Sequence, residues 1–262
     1  MLRMEAARRA QQIPAKPVRI TNREGRSPVV LICDHASNFL PAQYATLGLD
    51  NSDLTRHIAW DPGALPVAAR MAQALDAVLI ESCISRLVID CNRPLDAPDL
   101  ISPVSETTAI PGNADLSADE RAARIALSWT PFHDAIEEVV SERLAQCRET
   151  LLVSVHSFTP IYKGVDRPWH VGVIHDEDVR LSSPLIASLR SLSGTVVGDN
   201  EPYSPADHVY FTLERHGRSR GLVCAMIEIR NDELSSEQGV RKWADRLSGV
   251  LAGLLPRRQN RG

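Results

Sequence analysis

The sequence predicts an α/β fold, a three-layer α/β/α sandwich around a mixed, mainly parallel central sheet. Two patterns carry that expectation. Short, β-branched, almost wholly apolar runs such as Val29–Cys33 and Leu151–Val155 read as strands buried on both faces, the habit of parallel sheets. Segments of helical pattern alternate with such runs along the chain, with no repeat and no linker between them. At 262 residues and 44% hydrophobic content, the chain can bury a sizeable core as one unit.

Taken in order, residues 1–18 read as an N-terminal leader able to form a loose helix, and residues 19–262 as a single domain. Met1 to Ala15 is charged and has no apolar core, unlike a secretory signal. Val29–Cys33, entered through Pro28, is the first clear strand. Asp61-Pro62-Gly63-Ala64 reads as an N-cap followed by proline at the first helical position, opening a helix to about Ala74. Val78–Glu81 and Arg86–Cys91 read as two further strands. Asp96–Asn113, rich in Pro, Ser and Thr, has no period and reads as a long loop of the functional kind. Ser117 and Glu120 form a capping box that opens an amphipathic helix to about Cys147, with Pro131 expected to kink or break it. Strands follow at Leu151–Val155, Trp169–Ile174, Thr195–Val197 and Leu222–Ile229, with helices over Ser183–Leu192 and Ser235–Leu254.

The charge balance excludes some classes of partner. Net charge is −4, from 29 basic and 33 acidic residues well interspersed, which is no electrostatic footprint for nucleic acid. No apolar run approaches the ~20 residues that span a bilayer. The five cysteines are scattered without a CxxC spacing and read as packed thiols in a reducing compartment. A cytoplasmic protein with neither nucleic-acid nor membrane partners is expected; oligomeric state is left open.

Three segments can carry chemistry. His35 and His156 each stand at the end of an apolar strand, where ligands of open α/β sheets bind, and two imidazoles there are half of a zinc site. Asp34, Asn38 and Asp61 are available to complete it. In Arg86–Pro94, alternation would place Arg86, Val88, Asp90 and Asn92 on one strand face, with Arg86 and Asp90 as mutual partners. Arg93 leaves that segment beside Pro94, where its fork of donors suits a carboxylate. Glu228 interrupts the apolar run Cys224–Ile229, and burial raises a carboxyl toward the range useful for general acid–base work.

Together these segments resemble the N-formylglutamate amidohydrolase family, whose fold is related to zinc carboxypeptidases and aspartoacylases. The matching pieces are Asp34–Asn38, His57–Ala64, Arg86–Pro94, Pro131–His133, His156-Ser157, Arg215–Gly217 and Glu228–Arg230, in the family's order over about residues 28–234. The resemblance implies a zinc amidohydrolase acting on a small N-acylated amino acid such as N-formylglutamate. His35 and His156 would be metal ligands, with the third place open among Asn38, Asp61 and Asp34. Glu228 would be the general base for metal-activated water, and Arg86 would help polarise the acyl oxygen. Asn92, Arg93 and Arg215 would hold the substrate carboxylate, with His133 and His216 facing the same pocket. The rival readings are a zinc carboxypeptidase or peptidoglycan-type amidase on the same scaffold, and a non-catalytic carboxylate-binding relative.

Overall fold

The computed structural model describes residues 16–255; most of the expected leader, residues 1–15, lies outside them. Seven strands make the central sheet: β1 (Val18–Thr21), β2 (Val29–Cys33), β3 (Val78–Ser82), β6 (Leu151–Phe158), β9 (Val171–Ile174), β10 (Val197–Asp199) and β11 (Val223–Arg230). Two separate hairpins, β4 (Val104–Ser105) with β5 (Thr108–Ala109) and β7 (Ile161–Tyr162) with β8 (Val165–Asp166), stand apart from it. The sheet order is β1-β3-β2-β6-β11-β9-β10. Strands β3, β2, β6 and β11 run parallel to one another. β1 is antiparallel to β3, and β9 to β11, so the sheet is mixed and mainly parallel, as expected.

The apolar runs follow from burial on both faces. In β2, Val29, Leu31 and Cys33 enter one core, which α1 (Ala64–Leu75), α4 (Ser182–Arg190) and α6 (Glu237–Leu254) cover. Val30 and Ile32 enter the other, under α3 (Thr130–Ala145) and α5 (Phe211–His216). Helices on both faces make the three layers. All five cysteines are free, and Cys33, Cys91 and Cys224 are buried as core residues. Among the described residues no helix is long and apolar enough to cross a membrane.

Four local expectations are corrected. Arg86–Cys91 is a series of turns and not a strand, held where Leu87 N donates to Ser85 Oγ and Ser85 Oγ to the Ala59 carbonyl. Its apolar residues Leu87, Val88 and Ile89 fill a third core beyond the sheet, with Tyr44, Leu100, Ile110 and Trp129, so a loop core imitates a strand. α1 starts at Ala64, behind Gly63 at φ 84°, so Asp61 does not cap it with its side chain. The long helix is continuous: α2 (Ala118–Arg124) joins α3 through a π-helical turn at Ile125–Trp129, which widens the ladder just before Pro131 instead of breaking it. Ser117 caps α2 by accepting from Glu120 N at 3.1 Å, but the Glu120 carboxylate accepts from Arg124 at 2.9 Å. Strand β1 went unseen because it is a short, half-exposed edge strand.

α3 and α5 meet through His133 and His216, whose rings stack with centroids 5.1 Å apart. His133 Nε2 donates to the Cys91 carbonyl at 2.9 Å, which leaves its Nδ1 to accept from His216 Nε2 at 2.8 Å. Burial pushes His133 down to about 3 and His216 down to about 4, so both stay neutral in the fold. In the unfolded chain both take up protons near pH 6.5, so the unfolded state binds more protons from that value down to about 4 for His216 and about 3 for His133. This contribution is fully present above pH 6.5 and is lost as pH falls. Stability is expected to drop across that window, by up to about 1.4 kcal/mol per pH unit for each histidine. Denaturation free energies measured against pH should show a shallower slope for His216→Phe; an unchanged slope would remove the pair from the acid response.

Candidate active site

The chain leaves β2 through α1 to β3 on one side and returns through α3 to β6 on the other. That divergence makes the β2/β6 junction the switch point at which open α/β sheets bind ligands. His35 lies two residues beyond β2, and His156 lies in β6 near its carboxyl end. Glu228 sits in β11 at the register position of His156. Strand alternation puts Glu228 on the face of Cys224 and Met226, toward α3.

Asp61 is the centre of the group. Its Oδ2 lies 2.9 Å from His156 Nδ1 and 3.4 Å from His35 Nδ1, and its Oδ1 lies 3.3 Å from His57 Nε2. Arg86 Nη1 reaches Asp61 at 3.5 Å while Nη2 donates to Asp90 at 2.8 Å. Two of the imidazoles are backed by a further carboxylate. His35 Nε2 is 2.7 Å from Asp90 Oδ1, and His156 Nε2 is 3.0 Å from Asp34 Oδ2, the latter pair close but out of line for a hydrogen bond. Thr212 Oγ1 donates to the other Asp34 oxygen.

Electrostatics follows from this crowding. Burial alone would raise the Asp61 carboxyl, but His35, His156 and His57 hold it well below the usual carboxylate range. Asp90 is lowered likewise, against its burial, by His35 and Arg86. Burial opposes charge on His35, and Arg86 does too, yet Asp90 and Asp61 hold its pKa above the ordinary value. Burial also opposes charge on His156, and Asp34 and Asp61 raise it well above. Glu228 differs. Its Oε2 is buried with no hydrogen-bond partner among the described residues, and burial pushes its carboxyl up to about 7, against the pull of His156.

These residues fit a divalent cation. His35, Asp61 and His156 each offer one ligand atom, all within 4.8 Å of one another. Four carboxylates, Asp34, Asp61, Asp90 and Glu228, are buried here, and Arg86 pairs with two of them, Asp61 and Asp90. Two imidazole nitrogens and a carboxylate oxygen are a zinc-type donor set, and carboxylates behind ligating imidazoles are its usual support.

The group opens into a cavity of about 340 Å³, whose lining includes Arg86, Asn92, Arg93, Lys163, Tyr162 and Tyr203. Arg93 donates from Nε to Asp99 at 2.8 Å and from Nη1 to the Asn92 and His208 carbonyls. Asn92 bonds the Val209 carbonyl and accepts from Thr212 N at 2.9 Å, so its amide also stitches the wall to the start of α5.

Four expected site residues lie elsewhere. Asn38 donates to the Leu54 carbonyl at 2.8 Å and does not line the cavity. After β2 the chain turns at Asp34-His35 and runs on irregularly, so the third residue past His35 does not return to it as it would in a helix. His133 and His216 pair with each other behind Cys91, outside the cavity lining. Arg215 is exposed, with its guanidinium 5.1 Å from the Trp129 ring centre. His57, expected only as part of a motif, and Asp90, expected only as a partner of Arg86, both touch the central group. The signal for His57 was its i, i+4 spacing to Asp61.

An open α/β sheet that gathers imidazoles and a carboxylate at its switch point, beside an unpartnered glutamate, has the architecture of a hydrolytic enzyme. The chain belongs to the N-formylglutamate amidohydrolase family, whose model matches residues 27–234. It is 40% identical to a gene product of Agrobacterium tumefaciens of known crystal structure, with a TM-score of 0.89, covering 92% of this chain and 95% of that one. N-formylglutamate amidohydrolase from Ralstonia eutropha JMP134 is 19% identical with a TM-score of 0.64, covering 89% and 95%, and shares the fold. Comparison with curated proteins gives no match.

Arg86 is the guanidinium that bridges Asp61 and Asp90. Arg86→Met is expected to destabilise the metal-free protein by about 3–5 kcal/mol, the cost of leaving buried charge unpaired. Urea denaturation with chelator present checks this; a change under 1 kcal/mol would show the imidazoles alone suffice.

Proposed function

We propose that this protein hydrolyses the amide bond of a small N-acylated amino acid such as N-formylglutamate, with zinc held by His35, Asp61 and His156. The observation that carries the reading is the convergence of those three residues beside the buried, unpartnered Glu228. Zinc bound there supplies Lewis acidity and lowers the pKa of water toward ~7.

The chain's own residues perform the rest. Glu228, with a carboxyl near the working pH, accepts a proton from the attacking water and returns it to the leaving nitrogen. Asp90 holds the back of the His35 ring and fixes its orientation, and Asp34 places a second carboxylate behind His156. Arg86 polarises the acyl oxygen from its anchorage on Asp61 and Asp90. Arg93 lines the cavity with Nη2 not engaged by the described residues, and receives the substrate carboxylate there. Asn92 keeps Arg93 in place and borders the same space. A second hollow, which includes Arg56, Thr159 and Asp232 in its lining, adjoins across His57, and so short peptides belong among the substrates tried.

Turnover of N-formylglutamate, N-acetyl amino acids and short peptides, measured side by side, is expected to favour the first. Preference for peptides would favour a peptidase or amidase instead. Chelation should abolish activity and one equivalent of zinc restore it; zinc-free protein that stays inactive after metal addition would indicate a carboxylate-binding module. Glu228→Gln is expected to keep its metal and lose about 10²–10⁴-fold in kcat. Full activity in that variant would remove Glu228 from the base role.

A further inference from the structure

Arg167 is buried yet makes no ion pair among the described residues. Its guanidinium lies instead over aromatic rings, 4.5 Å from the centre of Tyr162, 4.7 Å from that of Tyr203 and 5.8 Å from that of Phe158. Aromatic faces accommodate a weakly hydrated guanidinium in this way. Arg167 Nη1 also donates to the Tyr203 hydroxyl at 3.0 Å. A guanidinium has no acceptor, so the phenol oxygen is the acceptor and its own proton is left to point elsewhere. Tyr203 lines the active-site cavity, and the charges that act on it include Glu228 and Arg86.

The backbone is shaped to put that ring there. A Cβ at Gly172 or Gly198 would overlap the Glu201 carbonyl oxygen, so the two glycines, one in β9 and one in β10, let the Glu201 backbone lie close against the sheet. Asn200 pins the segment further, its N donating to the Val173 carbonyl at 3.0 Å and its Oδ1 accepting from His175 N at 2.9 Å. Gly172 is also the register partner of Glu228 across β9 and β11. The segment that carries Tyr203 thus crosses the strand beside the proposed base.

We propose that Tyr203 is a catalytic hydrogen-bond donor to the acyl oxygen as negative charge develops on it, with Arg167 as the positioning residue that aims its hydroxyl. This rests on the hydrolytic reading above. The phenol suits the task because burial, reinforced by Glu228, pushes it up to about 12, and it keeps its proton. No covalent step is involved; the hydroxyl holds its proton throughout and strengthens one hydrogen bond in the transition state.

The test is steady-state kinetics of Tyr203→Phe on the best substrate of the zinc-loaded enzyme, with zinc content and melting temperature as controls. A fall in kcat of about 10²-fold with KM and zinc content unchanged is expected. Arg167→Lys, which keeps the charge but loses the planar fork, should also lower kcat, and should have no further effect in the Tyr203→Phe background. A raised KM with unchanged kcat would overturn the proposal, because Tyr203 would then serve ground-state binding alone. Unchanged kinetics in Tyr203→Phe would overturn it equally. An inactive wild type would sink the hydrolytic reading and this proposal together, whereas an active wild type with a normal Tyr203→Phe sinks only the latter.

Discussion

A single buried carboxylate, Asp61, receives His35, His57, His156, Arg86 and the backbone N–H of Ser157, and these come from four separate stretches of chain. Removing a carboxylate from water costs several kcal/mol unless positive groups meet it in good geometry. Each of those stretches is therefore fixed by the need to reach one point. The segment before α1 is held so that Gly63, not Asp61, takes the cap position. The turns at Arg86–Cys91 are held because Arg86 must span Asp61 and Asp90. The apolar core beneath those turns supplies the burial, and the charges supply the register.

Asp61 and Glu228 are chemically alike and are driven apart by their surroundings. Donors on every side keep Asp61 ionised at any working pH. Glu228, one strand away, meets burial without a partner for Oε2, and its carboxyl is poised near neutrality. Such a divergence within one pocket is how a fold separates a fixed negative charge from a mobile proton. The sheet enforces the separation. Parallel pairing sets Glu228 level with His156, and alternation turns both to the same face.

The parts of this arrangement that could be read in the sequence are those that break a regular pattern. His156 and Glu228 interrupt or end apolar runs, and so does His35, so strand ends and polar exceptions marked the residues that the sheet brings together. The layers and most helices were legible for the same reason, since two-sided burial leaves continuous apolar runs. Arg86–Cys91 was misread because a loop packed into its own small core has the composition of a strand. Asp61 looked like a helix cap, and nothing local distinguishes a carboxylate that caps from one that turns away. His133, His216 and Arg215 followed the order of the family motifs, but order along the chain does not say which side of Cys91 a ring occupies. Tyr203 and Arg167 lie 36 residues apart with no shared motif, and only tertiary packing joins them.

Four arginines fasten the irregular walls of this site, and the chemistry of loops explains why. A loop against a core leaves carbonyls that no strand or helix satisfies. Arg124 reaches the Val88 and Gly112 carbonyls and Asn113 at once, tying both ends of the segment that carries Asp90 and Asn92. Arg93 joins the Asn92 and His208 carbonyls to Asp99, Arg86 joins two aspartates, and Arg167 joins two tyrosines. Each link needs several donors in fixed directions from one head group, which a guanidinium has and an ammonium lacks. The sheet can then stay mainly apolar, with His156 and Glu228 among its polar exceptions, while the guanidiniums tie down the irregular walls. Two of these fasteners, Arg86 and Arg93, also line the cavity, so the groups that hold its walls are among those that face its space.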